Sequence, residues 1–159
     1  SHPEFTKDIH GKYSCVGSWG QHPHHYGFNG VSHTKWLIPE HKNYIIYRGA
    51  SDRQNQLSLL WINGNGIMLW ENLFGRMNFW NAKDRHTLRL MNPIWKKFYP
   101  LYITDSWKPY MPTSVKGINA SSWEAGGMKI WNIVAEKENM AQSVKITVDD
   151  TIKKYIDLW

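Results

Sequence analysis

The hydrophobic period of the chain changes near residue 112, and a chain that switches period needs two kinds of layer. Upstream, short apolar runs alternate with segments patterned every three to four residues and with long polar loops. That is the texture of strand–helix units, in which buried parallel strands read as unbroken apolar runs. Downstream, apolar and polar residues alternate between turn signals, the texture of an antiparallel sheet. The expected fold class is therefore α/β plus all-β: strand–helix units over 1–112, then a small antiparallel β domain over 113–159.

Within the first part, Tyr13 to Trp19 reads as a short buried strand, followed by a loop over 20–33 rich in His, Gly and Asn. Ser51 to Ile62 predicts a helix with Ser51 as N-cap, because a Ser side chain can accept a hydrogen bond from an otherwise unpaired first-turn N–H. Asn63-Gly64-Asn65-Gly66 turns the chain, and Ile67 to Trp70 predicts a second buried strand. Asn81 is placed to cap the next helix, with Asp84 in its first turn, where a negative charge suits the helix dipole. Leu88, Met91, Trp95, Phe98 and Tyr102 recur at steps of three and four, the stripe of an amphipathic helix. Pro93 falls inside that stripe, so a kink or restart is expected there.

From Gly117, the residues Ile118, Ala120 and Ser122 share one parity. Glu124 to Gly127 supplies a turn, and Met128 to Val134 returns as a strand. Val144, Ile146 and Val148 alternate with polar residues, and Tyr155 to Trp159 predicts a further strand. Four such strands make a small sheet with one face to bury, and the stripe ending at Tyr102 is its expected cover.

Composition narrows the function classes. Charged residues make up 20% and apolar residues 42%, as in a globular domain and unlike a disordered one. No apolar run reaches the roughly 18 residues of a membrane span, so no membrane partner is expected. A net charge of +6 invites a nucleic-acid reading, but the Lys and Arg residues are dispersed, with tight pairs only at Lys96-Lys97 and Lys153-Lys154. A phosphate footprint is clustered, so no nucleic acid is expected. The single Cys15 excludes an internal disulfide framework and a four-cysteine zinc site. The aromatic excess is the informative feature: ten Trp, eight Tyr and five Phe. Core filling accounts for part of it and not readily for Trp19, Trp80 and Trp107, which sit in polar surroundings. Flat aromatic faces stack on sugar C–H faces, and the indole N–H adds a donor.

Two stretches carry candidate chemistry. Ile67 to Trp70 runs directly into Glu71, with Trp70, Phe74, Phe79 and Trp80 around it. In α/β barrels the active site lies where strands end and the following loops begin. A carboxylate there, walled by indoles, can have a raised pKa and act as an acid, or can accept bonds from sugar hydroxyls. A structural Glu paired with Arg76 or Arg85 fits the same position. The second stretch is Trp19-Gly20-Gln21-His22-Pro23-His24-His25-Tyr26-Gly27-Phe28-Asn29-Gly30. Its residues suit binding of sugar hydroxyls by His22, His24, His25 and Asn29 beside Trp19 and Tyr26. A metal site in the same histidines is the alternative. However, Pro23, Gly27 and Gly30 oppose the helix that would align them, and no acidic residue lies between Asp8 and Glu40. No metal is therefore assigned.

Glycosidic cleavage ordinarily uses two carboxyl groups flanking the bond, and only Glu71 ends a plausible barrel strand. Cofactor signatures are lacking. Asn63 to Gly66 precedes a strand where a phosphate loop precedes a helix, and there is no G-x-S-x-G elbow.

Several further strings belong together: Asn63-Gly64-Asn65-Gly66-Ile67-Met68-Leu69-Trp70-Glu71-Asn72-Leu73-Phe74-Gly75, Trp80-Asn81, and Leu88-Arg89-Leu90-Met91-Asn92-Pro93-Ile94-Trp95. After them come Trp107-Lys108-Pro109, Pro112-Thr113, Ala120-Ser121-Ser122-Trp123-Glu124 and Met128-Lys129-Ile130-Trp131. In this order they resemble the C-terminal part of bacterial glycoside-hydrolase-like proteins, a TIM-type barrel followed by a small antiparallel β domain. Ser18 to Gly27 looks like a penultimate strand and loop of such a barrel. The resemblance spans most of residues 13 to 159.

It implies a partial (β/α) barrel segment and a β-sandwich-like domain, a carbohydrate partner, and a secreted or periplasmic setting. A full barrel takes about 250 residues, so the resemblance also implies a missing N-terminal barrel portion, in the same chain or in a partner chain. On this reading Glu71 is one catalytic carboxylate or a substrate-orienting group. Trp19, Tyr26, Trp70 and Trp80 face sugar rings, His22, His24, His25 and Asn29 bind hydroxyls, and Arg48 contacts an acidic sugar or pairs with a structural Glu. A non-catalytic carbohydrate-binding module is the alternative.

Overall fold

The computed structural model describes residues 6–15, 17–19, 33–46, 53–68, 80–136, 145 and 154–159. These residues are mixed α and β. In chain order the elements are β1 (Gly17–Trp19), α1 (His33–Leu37), β2 (Lys42–Ile46), α2 (Gln54–Ile62), β3 (Gly66–Met68), α3 (Ala82–Tyr102), β4 (Lys108–Met111), β5 (Ile118–Ala125) and β6 (Met128–Ala135).

β1, β2 and β3 form a three-stranded parallel sheet in consecutive order. Gly17 pairs with Lys42 and Trp19 with Tyr44, while Tyr44 pairs with Gly66 and Ile46 with Met68. Parallel neighbours need a crossover, and α1 and α2 lie in the two crossovers here. β2 was not expected from the sequence. It opens with Lys42 and Asn43, both buried, and its place in the centre of the sheet outweighs their polarity.

β1 is shorter than the strand expected over Tyr13–Trp19. Tyr13 instead bridges antiparallel to Lys7 across a turn in which the Asp8 carboxylate accepts from the His10 and Lys12 amides at 2.8 and 2.9 Å. The strand expected at Ile67–Trp70 is described from Gly66 to Met68, and residues 69 and 70 lie outside the described residues.

α3 follows its local signals. The Asn81 side chain accepts from the Asp84 amide at 2.7 Å, and Met91, Trp95 and Tyr102 of the expected stripe are buried. The break is not at Pro93. Backbone angles stay helical through it and depart at Phe98, with φ −105° and ψ 15°. Pro100 explains the position: its ring would collide with the carbonyl of residue 96, and the chain relieves the clash before reaching it. α2 also starts later than expected. Its N-cap position is Arg53, and the expected cap Ser51 lies outside the described residues.

β4, β5 and β6 form the antiparallel sheet, which begins at Lys108, upstream of the expected boundary at 112. Pro109 fits because β4 is an edge strand in the described sheet. β5 and β6 pair without interruption from Ile118↔Ala135 to Ala125↔Met128. Gly126 and Gly127 close that hairpin with φ of 58° and 74°, the pair of positive angles that a tight two-residue turn requires. The single-parity expectation for β5 does not hold, since Ala120 through Trp123 are all buried and β5 is covered on both faces. Residues 154–159 form no strand, contrary to expectation. Tyr155 instead packs 6.4 Å from the Trp131 ring, and Trp159 lies edge-on to Trp61 at 5.3 Å. Of the alternating run at 144–148 only Lys145 is described; its carbonyl accepts from the Ser114 amide and its own amide donates to the Ser114 hydroxyl.

A single hydrophobic cluster joins Leu57 and Leu60 of α2, Met91, Ile94, Trp95, Leu101 and Tyr102 of α3, Trp107, Trp123 of β5 and Ile130 of β6. The core thus crosses residue 112, and α2 joins α3 in covering the antiparallel sheet. Trp107 belongs to this core, so its polar neighbours in sequence misrepresent its surroundings. Buried Asn132 pins the layers together: its amide donates to the Trp61 carbonyl at 2.5 Å, and its oxygen accepts from the Tyr102 hydroxyl at 2.9 Å. That hydroxyl ionises only well above its ordinary range, because burial outweighs the opposing bond to Asn132.

Candidate functional site

β1, β2 and β3 point the same way, so their C-terminal ends define one edge of the parallel sheet. Segments 20–32, 47–52 and 69–79 follow Trp19, Ile46 and Met68 in the chain. The expected site residues His22, His24, His25, Tyr26, Asn29, Arg48, Trp70 and Glu71 all belong to these segments and lie outside the described residues. Trp19 ends β1, and only its backbone is described. The chain leaves for the His segment and for Glu71 from the same edge, with β2 between the two departure points. Two strand spacings separate β1 from β3, about 9 to 10 Å.

After the second and third of these segments the described chain resumes at the starts of α2 and α3. Asp84, fully buried at 0% exposure, joins them. One carboxylate oxygen accepts from the Arg53 amide at 3.2 Å and the other from the Gln54 side chain at 2.6 Å. Gln54 in turn accepts from the Thr87 hydroxyl at 3.3 Å. The residue expected to favour its own helix's dipole therefore also satisfies the first turn of the neighbouring helix, where orphan N–H groups attract an anion. No signal in the sequence pointed to this, because the partners are 31 and 30 positions away.

Trp80 is the one expected site residue with a described side chain. It is half-buried, and the Arg53 guanidinium lies over its ring, 4.3 Å from the centre. Arg85 donates to the Trp80 carbonyl at 2.7 Å. A cation on one indole face gains from the ring quadrupole, and the indole also packs against the hydrophobic core. Arg53, 2% exposed, had no role in the sequence reading.

The opposite, N-terminal edge holds a pair of buried lysines, Lys35 of α1 and Lys42 of β2. Burial, and secondarily the charge of Lys35, brings the Lys42 amine down to about 7. Burial also lowers Lys35 to about 8, against an opposing pull from Glu40. A third feature is an open recess of about 380 Å³ beside the Gly126-Gly127 turn, lined by Ser106, Lys108, Ser122 and Glu124. Its carboxylate, Glu124, is paired with Lys129 at 3.3 Å.

Among the described residues no three His, Cys, Asp or Glu side chains gather as metal ligands; the His segment is not among them. No described helix is long and apolar enough to cross a membrane. No protein-family model, curated protein or solved structure matches the chain.

Proposed function

We propose that the chain is the C-terminal portion of a glycoside-hydrolase-type (β/α) barrel joined to a small β-sandwich-like domain. It acts on glycosidic bonds of an oligo- or polysaccharide once the other barrel units, in the same chain or a partner chain, complete it. The observation that carries this reading is the consecutive parallel order β1-β2-β3 with a helix in each crossover. Doubly wound sheets reverse their strand order, whereas barrels add each new strand beside the last. The same order sends the His segment and Glu71 off one edge, the edge that carries active sites in such barrels.

On this reading Glu71 is one carboxylate of the pair that glycosidases use. Asp84 is not the other, because both its oxygens are engaged by α2 and no solvent reaches it. The second carboxylate comes from the remaining barrel units. Trp19, Tyr26, Trp70 and Trp80 stack on sugar rings, while His22, His24, His25 and Asn29 bind hydroxyls. Arg48 contacts an acidic sugar.

The test is turnover of a panel of aryl glycosides by the full-length gene product and its Glu71→Gln variant. A loss of at least about 100-fold, typical of a general acid–base group, is expected; undiminished turnover removes Glu71 from the mechanism. The three parallel strands among the described residues fall well short of a closed barrel, which favours a non-catalytic carbohydrate-binding module as the second reading. In that case sugar binding survives Glu71→Gln and neither form turns over.

A further inference from the structure

Lys35 and Lys42 come from different elements and converge on the same residue, Tyr102, one at its carbonyl and the other at its ring. Their exposures are 1% and 6%. The Lys35 amine donates to the Pro39 carbonyl at 2.5 Å and stands 3.5 Å from the Tyr102 carbonyl, 5.1 Å from the centre of the Trp107 ring. The Lys42 amine donates to the Gly64 carbonyl and stands 5.5 Å from the Tyr102 ring centre and 5.9 Å from that of Tyr99. Among the described residues the titratable groups around them include Glu40 and His41 on the connector, Tyr44 on β2, and Tyr99 and Tyr102 on α3. Glu40 is exposed. His41 is buried, with Nδ1 3.2 Å from the Cys15 carbonyl. Burial raises Tyr44 as well as Tyr102, so both phenols stay neutral through the neutral range.

Two ammonium groups sharing a poorly solvated, aromatic-walled space are each penalised by burial and again by each other. Loss of one proton removes most of that penalty. We propose that the Lys35–Lys42 pair is a proton-operated latch on the α1–β2 connection: with one amine neutral, α1 seats on Tyr102 and Trp107, and with both charged it releases. The shifts toward neutrality at both amines agree with this geometry. The latch does not depend on the carbohydrate reading.

Two measurements test it. In the wild-type protein, side-chain ¹⁵N titration of labelled lysines is expected to show one amine titrating near pH 7 to 8. If every lysine titrates above pH 9.5, the latch is overturned. Amide hydrogen exchange at Ile38 and His41, whose N–H groups bond to Thr34 and Ile38 at 2.7 and 2.9 Å, reads the opening. After correction for intrinsic rates, protection is expected to rise toward the limit of about tenfold per pH unit set by one proton. Lys42→Met is expected to flatten that rise, and Lys96→Met, an exposed position on α3, to preserve it. Protection that is flat with pH in wild type overturns the proposal. So does a rise that persists in Lys42→Met. If Lys42→Met does not fold, the wild-type lysine titration decides.

Discussion

Replacing Gly64 by Ala perturbs the contact between the turn that follows α2 and the rings beneath the antiparallel sheet. Gly64 has φ of +61°, and a Cβ there would stand 2.7 Å from Trp123 Cζ2 and 2.9 Å from Tyr102 Cδ1. Both rings are fully buried at 0% exposure, and the Tyr102 hydroxyl is held by Asn132, so neither ring can swing away cheaply. The left-handed backbone costs an Ala about 1 to 2 kcal/mol, and overpacking a filled core costs about 1 to 3. The reduced freedom of the unfolded chain returns about 0.5 to 1. The expected net loss is about 2 to 4 kcal/mol, a large part of the roughly 5 to 15 available to a domain.

Urea unfolding followed by both far-ultraviolet circular dichroism and tryptophan fluorescence measures it, with an unchanged m-value confirming that the same surface unfolds. Gly127→Ala is the control, since φ there is 74° but nothing lies within 4 Å of the added carbon; only the backbone cost should appear. A Gly64→Ala loss no larger than that of the control would refute the steric argument. Two separate transitions, with the antiparallel sheet unaffected, would refute the shared core.

Lys42→Met should change the pH dependence of stability. The folded amine titrates at about 7 and the unfolded one at 10.5, so between those values the unfolded chain binds more protons and stability rises with pH. The stability is complete above the unfolded value and is lost as pH falls toward the folded one, by at most about 5 kcal/mol. Urea midpoints at pH 6.5 and 9.5 should therefore differ less in the variant than in wild type; an equal difference refutes the assignment. Asp84→Ala removes the acceptor for Arg53 and Gln54 and should cost about 2 to 4 kcal/mol in thermal unfolding, whereas a change below about 1 kcal/mol would mean that solvent replaces it. Glu71→Gln should abolish glycosidase turnover in the completed protein while leaving its unfolding midpoint in place.

What the sequence determined by itself is local. Asn81 and the three-to-four spacing through Tyr102 specify α3, and two adjacent glycines between alternating runs specify the β5–β6 hairpin; cap, stripe and turn each need only near neighbours in the chain. Of the candidate site the sequence offered only an order along the chain, His22 to Asn29 after one strand and Glu71 after another, and these residues lie outside the described ones. Tertiary structure decided the rest. Lys42 and Asn43 became part of a sheet because β1 pairs with them, and Asp84 became the acceptor for a helix whose cap lies 31 residues earlier. Arg53 settled on Trp80, and Lys35 and Lys42 each reached Tyr102, one at its carbonyl and the other at its ring. Each of these pairs residues distant in the chain, and burial then changes what their polarity means.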